Sequence, residues 1–336
     1  MSNALRVAVL GFWHVHARDY ARQAVDHPAT ELIAVWDDDA DRGRAGASEF
    51  GASFAPDLDE LLRRADLDAV IITTATNVHR DVMVRAATAG KHIFTEKVLA
   101  PTVADAEAIV KAADANEVVL VVSLPRLYHG YTRAIRDVLD AGVLGRVTGS
   151  RIRLSHDGAV SRDGAPGWLP ERFFDRERAI GGALTDLGCH PVYLTQLFLG
   201  ATPNAVSATY RSFTKREVED HAVVTVGYED ERIGVIEAGF VSRNPFTVEI
   251  FGTEGTLAYT SDGSTLKVAS GGSGSEGFAS VPVPDDGPDP FAQWVDHIQR
   301  GTRADENVAR AIELTRLVVA ANRAAAESRT IAYSAG

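Results

Sequence analysis

The feature that most constrains the fold is an alternation of continuous apolar runs with helical patterns over about the first 120 residues. Unbroken runs rich in branched residues are typical of strands buried on both faces, as in parallel sheets. Such runs cover 5–10, 31–37, 68–74, 91–95 and 117–123. Helical patterns lie between them, at 57–65, 78–89 and 102–116. This alternation predicts a doubly wound α/β domain.

The pattern changes after Ser123. Helical patterns are expected at 129–141 and 180–199, with a strand at 146–156. Short, partly alternating runs separated by turn residues follow, at 203–212, 219–229, 232–241, 245–251 and 255–260. They predict a mainly antiparallel sheet with helices on one face. We expect a mobile hairpin or loop at 261–289 and closing helices at 289–300 and 305–327.

The fold class predicted from these patterns is α/β with two domains. Residues 1–123 form a Rossmann-type domain with a doubly wound parallel sheet. Residues 124–336 form an α+β domain with a large, mainly antiparallel open sheet, whose closing helices are free to pack back on the first domain. A chain of 336 residues suits two domains.

Composition narrows the range of partners. The formal net charge of -12 argues against nucleic acid and anionic membranes, because few Lys and Arg remain to neutralise phosphates. The only cysteine, Cys189, excludes an internal disulfide and a multi-cysteine zinc site. We see no leader peptide and no apolar run of membrane-spanning length, so we expect a cytoplasmic protein.

The turn after the first strand predicts a dinucleotide site. A dinucleotide fingerprint has three glycines, of which only Gly11 is present, while Trp13 and His16 occupy the other two positions. Asp37 ends the second strand, where a carboxylate can accept hydrogen bonds from ribose hydroxyls and repel a 2′-phosphate. We therefore expect NAD rather than NADP. The alternative is that residues 37–39 form a solvated turn and helix cap.

His14 and His16 raise the question of a metal site, since imidazole is a common metal ligand. The two histidines are two residues apart at the start of a helix, so their side chains should point in different directions. We therefore expect no metal, and expect both to pack the loop around a cofactor or the domain junction.

Lys97 follows Glu96 at the end of a predicted strand. Ligands of open α/β sheets bind at the carboxyl ends of strands, so Lys97 should face a cleft. Its ammonium could hydrogen-bond a substrate hydroxyl and stabilise alkoxide character, with Glu96 positioning it or touching the cofactor. The alternative is a surface ion pair.

Asp186 and His190 are four residues apart in a helical pattern, on one face of the helix. A histidine with a carboxylate partner can take a proton near neutral pH. An ordinary helical pair or a buried structural histidine is the alternative. The glycine pair at 181–182 indicates close backbone approach to another element.

Together these segments resemble the glucose–fructose oxidoreductase, inositol dehydrogenase and rhizopine-catabolism (Gfo/Idh/MocA) family over most of the chain. The matching segments, in family order, are Gly11, Asp37, 74–79, 89–92, 96–97, 181–190, 218–220 and 251–256. The chain departs from the family in the two missing glycines, in Val98 where a proline usually follows Glu-Lys, and in Ala75 and Thr76 where Pro-Asn is usual. These departures affect the cofactor pose and the geometry of the loop after Lys97.

The resemblance implies the roles of individual residues. The implied catalytic residues are Lys97, Asp186 and His190. The implied cofactor-binding residues are Gly11, Phe12, Trp13, His14, Asp37, Asp38, Thr74, Ala75, Thr76, Asn77, His79, Glu96 and Lys97. Family members act on sugars and polyols, often as homodimers or homotetramers joined through the open face of the second domain's sheet.

The mechanism expected on this basis is reversible oxidation of a secondary alcohol of a sugar or cyclitol bound between the domains. Hydride passes to nicotinamide, His190 takes the hydroxyl proton, Asp186 orients His190 or binds a neighbouring hydroxyl, and Lys97 holds the reacting oxygen. Residues that suit a sugar ring are further candidates for substrate contact, or else packing and surface residues: Arg126, Tyr128, His156, Asp157, Trp168 and Arg172.

Two other functions remain open at this point. A glycoside hydrolase could use tightly held NAD for transient oxidation, with no net NADH formed. A non-catalytic regulator could sense NAD or a sugar on the same fold, although retention of Lys97, Asp186 and His190 argues against it.

Overall fold

A computed structural model describes residues 4–271 and 277–333. The elements up to residue 124 are β1 (Leu5–Leu10), α1 (Ala17–Asp26), β2 (Thr30–Trp36), α2 (Ala40–Phe50), β3 (Ser53–Phe54), α3 (Leu58–Leu62), β4 (Ala69–Ile72), α4 (His79–Thr88), β5 (His92–Thr95), α5 (Val103–Ala115) and β6 (Leu120–Val122). Those from 125 to 287 are α6 (Gly130–Asp140), β7 (Val147–Ser155), α7 (Arg176–Ala179), α8 (Cys189–Leu199), β8 (Pro203–Arg211), β9 (His221–Tyr228), β10 (Ile233–Gly239), β11 (Thr247–Gly252), β12 (Gly255–Thr260), β13 (Thr265–Ser270) and β14 (Ala279–Val281). The last are α9 (Pro290–Arg300), α10 (Asp305–Glu327) and β15 (Ile331–Ala332).

The chain divides into two compact units. One comprises the described residues up to 124 together with 288–315, and the other comprises 125–287 together with 316 onward. The boundary at 315 falls inside α10, so this helix contributes to both units. No helix among the described residues is long and apolar enough to cross a membrane.

The first unit contains a six-stranded parallel sheet in the order β3-β2-β1-β4-β5-β6. The strands β1 and β4 are buried along almost their whole length, as predicted from their continuous apolar runs. Helix starts follow local capping chemistry, since Asp57 accepts from Glu60 N and Thr102 accepts from Asp105 N. From α9, Phe291 and Trp294 pack on Phe94 of β5, with ring centroids 5.6 and 5.7 Å away.

The second unit contains a nine-stranded sheet in the order β14-β13-β12-β11-β7-β10-β9-β8-β15. All its pairs are antiparallel except β7 with β10, which is parallel, so the predicted mainly antiparallel sheet is confirmed. Helix α8 packs closely on β10 at two glycines. A Cβ on Gly234 would lie 2.6 Å from Thr195, and one on Gly188 would lie 2.9 Å from the Cβ of Ala238.

One sequence expectation for this unit needs correction. The helix predicted at 180–199 starts later, because Ile180 is left-handed (φ +62°) after α7, and its first turn, Leu184–Gly188, is π-helical before α8 continues it. Within 261–289, β13 and β14 form an antiparallel hairpin that extends the sheet, in agreement with the hairpin alternative of the prediction. The part of that expectation covering 272–276 lies outside the described residues.

Candidate active site

Two loops of the first unit meet where the strand order of its sheet reverses. The neighbouring strands β1 and β4 lead into them, and His14 N donates to Thr73 O at 3.0 Å. Gly11 has φ +90°, and a Cβ on it would lie 2.9 Å from the Thr74 Cα. Only glycine fits this turn. Such a crevice at the carboxyl ends of the strands is where open α/β sheets bind ligands.

The loop after β4 holds polar atoms that the protein leaves unsatisfied. Thr74 Oγ1 and Asn77 Oδ1 are buried and have no hydrogen-bond partner among the described residues, while Ala75 and Thr76 beside them are also buried. Buried polar atoms in native proteins are normally satisfied by protein, water or ligand. These two oxygens and the Gly11 turn therefore fit the hydroxyl-rich, extended shape of a dinucleotide.

Asp37 is held by protein partners that the sequence did not reveal, and its contact with a ribose stays a prediction. Its carboxylate was expected to meet the ribose, but its side chain is 0% exposed. It accepts from the backbone of Phe12 (2.6 Å) and Asp39 (2.8 Å), and from the Arg42 guanidinium at 2.9 and 2.5 Å. Burial raises the pKa of Asp37, against these hydrogen bonds. Asp37 thus holds the turn after β1, whereas the side chains of its neighbours Asp38 and Asp39 are 38% and 53% exposed.

Phe12 and His79 also have protein contacts around the two loops, and their contact with a cofactor stays a prediction. The Phe12 ring stacks on Phe50 at 6.0 Å and is buried. The His79 ring is buried, with Nδ1 3.2 Å from the carbonyls of Val98 and Leu99 and Nε2 3.3 Å from that of Thr74. Burial lowers the pKa of His79 to about 4. The neutral ring carries one N–H, so it donates to one of these two loops and packs between both.

Glu96 is the centre of a buried network. It accepts from the Tyr20 hydroxyl (2.5 Å) and from Lys97 N (2.9 Å), and the Tyr20 hydroxyl lies 2.8 Å from Ser123 Oγ. Burial acts to raise the pKa of Glu96, but His14 and Lys97 hold it below its usual value. An ionised Glu96 thus fixes the main chain at the start of the loop that carries the lysine.

His14 and His16 do not diverge as expected. Their ring centroids are 5.2 Å apart, and their ligand atoms and those of Glu96 lie within 4.8 Å of one another. The loop before α1 curls back, so side chains two residues apart converge. Each group has other polar neighbours: His16 Nδ1 lies 3.0 Å from Asp19, and Glu96 accepts from Tyr20. The absence of a metal stays a prediction.

Lys97 lies at the carboxyl edge of the parallel sheet, where the sequence predicted it. The preceding Glu96 N donates to Ile72 O, which aligns the ends of β5 and β4. Lys97 is 6% exposed, so its ammonium lies in a shielded position beside the buried Glu96. The Lys97–Val98 peptide bond is cis.

His190 of the second unit has a partner that the sequence analysis missed. Its Nδ1 lies 2.8 Å from the hydroxyl of Tyr193, one helical turn further along α8. The same hydroxyl accepts from Arg126 N at 3.2 Å, so the predicted substrate residue Arg126 lies beside the histidine. Burial raises the pKa of Tyr193 well above 10, which keeps the phenol protonated at neutral pH.

A buried carboxylate holds the segment that carries Asp186. Glu219 accepts from Gly182 N (3.0 Å) and Leu184 N (3.0 Å), and a Cβ on Gly182 would lie 1.9 Å from the Glu219 carbonyl oxygen. The glycine pair therefore permits the close approach that the sequence predicted. Burial raises the pKa of Glu219 against these bonds. Asp186, half-buried in the π-helical turn, is positioned by this anchor.

The other candidate substrate residues lie in separate surroundings of this unit. The His156 ring lies between Trp168 (4.6 Å) and Phe240 (5.0 Å), and Asp157 is buried and ion-paired. The Arg172 guanidinium lies 5.9 Å from the Phe173 ring. Tyr128 is half-buried and its carbonyl accepts from Gly287 N.

Five polar residues of these networks were missed from the sequence: Tyr20, Arg42, Ser123, Tyr193 and Glu219. Tyr193 could have been predicted as a neighbour of His190, because residues three apart on a helix lie side by side. Tyr20 carried none, since it is 76 residues from its partner Glu96.

Family models match both parts of the chain. Residues 5–124 match the oxidoreductase family with an NAD-binding Rossmann fold, and residues 132–258 match the GFO/IDH/MocA C-terminal domain. These matches confirm the fold class predicted from the sequence. They also confirm the predicted class of enzyme, which is a nicotinamide-dependent dehydrogenase or reductase acting on CH–OH groups. The chain belongs to the Gfo/Idh/MocA family of oxidoreductases.

Individual relatives agree with this membership. A dTDP-3,4-didehydro-2,6-dideoxy-alpha-D-glucose 3-reductase of Streptomyces violaceoruber is 32% identical over 76% of this chain and 72% of its own. A 1,5-anhydro-D-fructose reductase of Ensifer adhaerens is 30% identical over 72% of each chain. The crystal structure of GenD2 from gentamicin A biosynthesis, in complex with NAD, has a TM-score of 0.80 and 27% identity over 100% of this chain and 98% of that one.

Proposed function

We propose that this protein interconverts a secondary alcohol of a sugar or cyclitol and the corresponding ketone, with NAD preferred over NADP. The observation that carries the proposal is the shielded ammonium of Lys97 at the carboxyl edge of the parallel sheet, where the loop after the neighbouring strand β4 leaves the oxygens of Thr74 and Asn77 unsatisfied. His79 packs between the two loops. The two named reductases among the relatives act on sugar derivatives, which supports the substrate class.

The cofactor would be held by the turn at Gly11, the accessible Asp38 and the loop of Thr74 and Asn77. Bound nicotinamide would supply the hydride acceptor for oxidation and the donor for reduction. Asp38 would accept hydrogen bonds from the ribose and repel a 2′-phosphate, the role that the sequence analysis gave to Asp37.

Three side chains would act on the substrate. Lys97 would donate a hydrogen bond to the reacting oxygen and stabilise its negative charge. His190 would take the hydroxyl proton during oxidation and return it during reduction. Asp186 would bind a neighbouring hydroxyl or orient His190. Glu96 and Tyr193 would position Lys97 and His190, respectively, through the hydrogen bonds described above.

The test is a panel of sugars and polyols, and their ketones, assayed with NAD and with NADP by absorbance of the reduced cofactor. On the best substrate, Lys97→Ala and His190→Ala should each lower turnover by roughly a hundredfold or more, the usual effect of removing such groups. The matched control is Lys91→Ala, which removes another shielded ammonium that donates to the carbonyls of Arg64 and Leu67. Near wild-type turnover in both test variants would overturn the assignment.

A further inference from the structure

The second unit contains a cavity of about 310 Å³ beside the start of the segment 181–188, which carries Asp186. Its walls come from α7, from the end of β8 and the connection to β9, and from the last turns of α10, all within the second unit. Among the described residues, Lys97, Asp186 and His190 do not line it. Its volume lies at the lower end of the range of small-molecule sites, so it offers a second site apart from the proposed catalytic groups.

Two exposed arginines, Arg176 and Arg211, line this cavity. Arg211 Nη1 donates to the carbonyl of Tyr210 at 2.7 Å, and Arg176 Nη2 donates to the carbonyl of Glu217. Within the part of the chain that the structure describes, these are the only hydrogen bonds of the two guanidinium groups, and neither pairs with a carboxylate. A guanidinium has several N–H donors, so both groups keep donors with which to bind an anion.

The two carboxylates of the cavity are turned towards main-chain N–H groups. Glu217 Oε2 accepts from Arg176 N at 3.2 Å, and Glu219 accepts from Gly182 N and Leu184 N at 3.0 Å each. The formal charges of the two glutamates and the two arginines cancel. A singly charged ligand therefore suits this cavity better than a doubly charged phosphate, which both carboxylates would repel.

Neutral groups complete the lining of the cavity. The Tyr210 hydroxyl donates to Asn322 Oδ1 at 2.8 Å. Burial and the nearby Glu219 raise the pKa of Tyr210 well above its usual value, so this hydroxyl stays protonated and its oxygen can still accept a hydrogen bond. One turn further along α10, Ala325 and Ala326 add methyl groups. This lining matches a ligand that combines hydroxyl groups with a short carbon chain.

The walls of the cavity also hold the proposed catalytic segment. Glu219 binds the backbone of Gly182, as described above. Asn322 Nδ2 lies 3.5 Å from the hydroxyl of Thr185, the residue before Asp186. A ligand that orders these walls would therefore also restrain the backbone on either side of Thr185.

We propose that this cavity binds a small hydroxycarboxylate, such as a sugar acid, and that the bound acid stabilises the segment 181–188. The carboxylate binds Arg176 and Arg211, and the hydroxyl groups bind Tyr210 and Asn322. A neutral polyol lacks the anion that the two arginines attract. Binding and stabilisation of the segment are independent of the proposed function, whereas a consequence for catalysis rests on it.

The experiment is isothermal titration calorimetry of D-gluconate into the full chain, with saturating NADH to occupy the dinucleotide domain. We expect saturable binding that weakens with added salt. D-Glucitol, which has a hydroxymethyl group in place of the carboxylate, should bind roughly tenfold more weakly or less tightly still. Amide hydrogen exchange in the segment 181–188 should slow when D-gluconate is bound, because the opening of that segment is then disfavoured.

Two variants test the site in different ways. Arg211→Gln removes charged hydrogen bonds and should weaken D-gluconate binding roughly tenfold or more. Ala325→Leu fills the cavity without removing a charge and should abolish binding. The matched control is Arg323→Gln, which removes another arginine of this unit, one that pairs with Glu327 on α10, and it should bind like the wild type. Circular dichroism would verify that each variant is folded, and equal losses in Arg211→Gln and Arg323→Gln would overturn the assignment.

The remaining outcomes separate this inference from the proposed function. If Lys97→Ala loses D-gluconate binding while Arg211→Gln keeps it, the acid binds at the proposed active site and the inference is refuted. Binding without slower exchange in the segment 181–188 refutes the stabilisation of that segment. If a sugar is oxidised with NAD while D-gluconate does not bind at millimolar concentrations, the inference fails and the proposed function stands. If D-gluconate binds through Arg211 but no sugar or polyol changes the cofactor absorbance, the inference stands and the proposed function fails.

Discussion

Acidification should destabilise the first unit through His79. Its ring is fully buried between the carbonyls of Thr74 and those of Val98 and Leu99, and burial lowers its pKa from 6.5 to about 4. Between these two values the unfolded chain binds more protons than the folded one. Stability is therefore complete above pH 6.5 and is lost as the pH falls towards 4. The free energy of unfolding should fall by about 3 kcal/mol, because each unit of pKa shift corresponds to ~1.4 kcal/mol.

The assay compares the wild type with His79→Gln in urea unfolding at a series of pH values. Amide exchange in β4 and β5 would resolve this unit from the rest of the chain. The stability advantage of the wild type over the variant should shrink by about 3 kcal/mol between pH 7 and pH 4. The control variant is His297→Gln, which removes an imidazole whose Nδ1 lies 2.8 Å from the Thr302 hydroxyl. It shows whether removing any imidazole changes the pH dependence of stability. Parallel pH curves for wild type and His79→Gln would refute the reasoning.

Two further predictions concern the active site. Tyr193→Phe keeps the packed ring but removes the hydroxyl beside His190. Turnover should therefore fall roughly three- to tenfold and the pH midpoint of turnover should move, with KM little changed. An unaltered pH profile would argue against a positioning role for Tyr193. Asp38→Ser should lower the NAD/NADP ratio of kcat/KM at least tenfold, because the 2′-phosphate is no longer repelled and Arg42 loses one of its carboxylate partners. Asp41→Ser, in the first turn of the helix that follows Asp38, is the control, and an equal change there would contradict the assignment.

Much of the fold was predictable because its signals are local. The Asp57 cap and the continuous apolar strands depend on residues a few positions apart, and the strands were found as predicted. Lys97 could be placed at a strand end from the same kind of pattern. The π-helical turn before α8 escaped prediction, since it depends on what packs against the segment and not on its own periodicity.

The order of residues along the chain was sufficient to define a Rossmann-type domain, a second sheet and the residue types of a dehydrogenase. It was not sufficient to show which of the acids near residue 37 stay accessible: Asp37 is buried against Arg42 and Phe12, whereas Asp38 and Asp39 are left at the surface. Burial and long-range hydrogen bonds, such as that of Tyr20 with Glu96, depend on which strands become neighbours in space. That choice is made by the packing of the whole sheet, so no local pattern could reveal it.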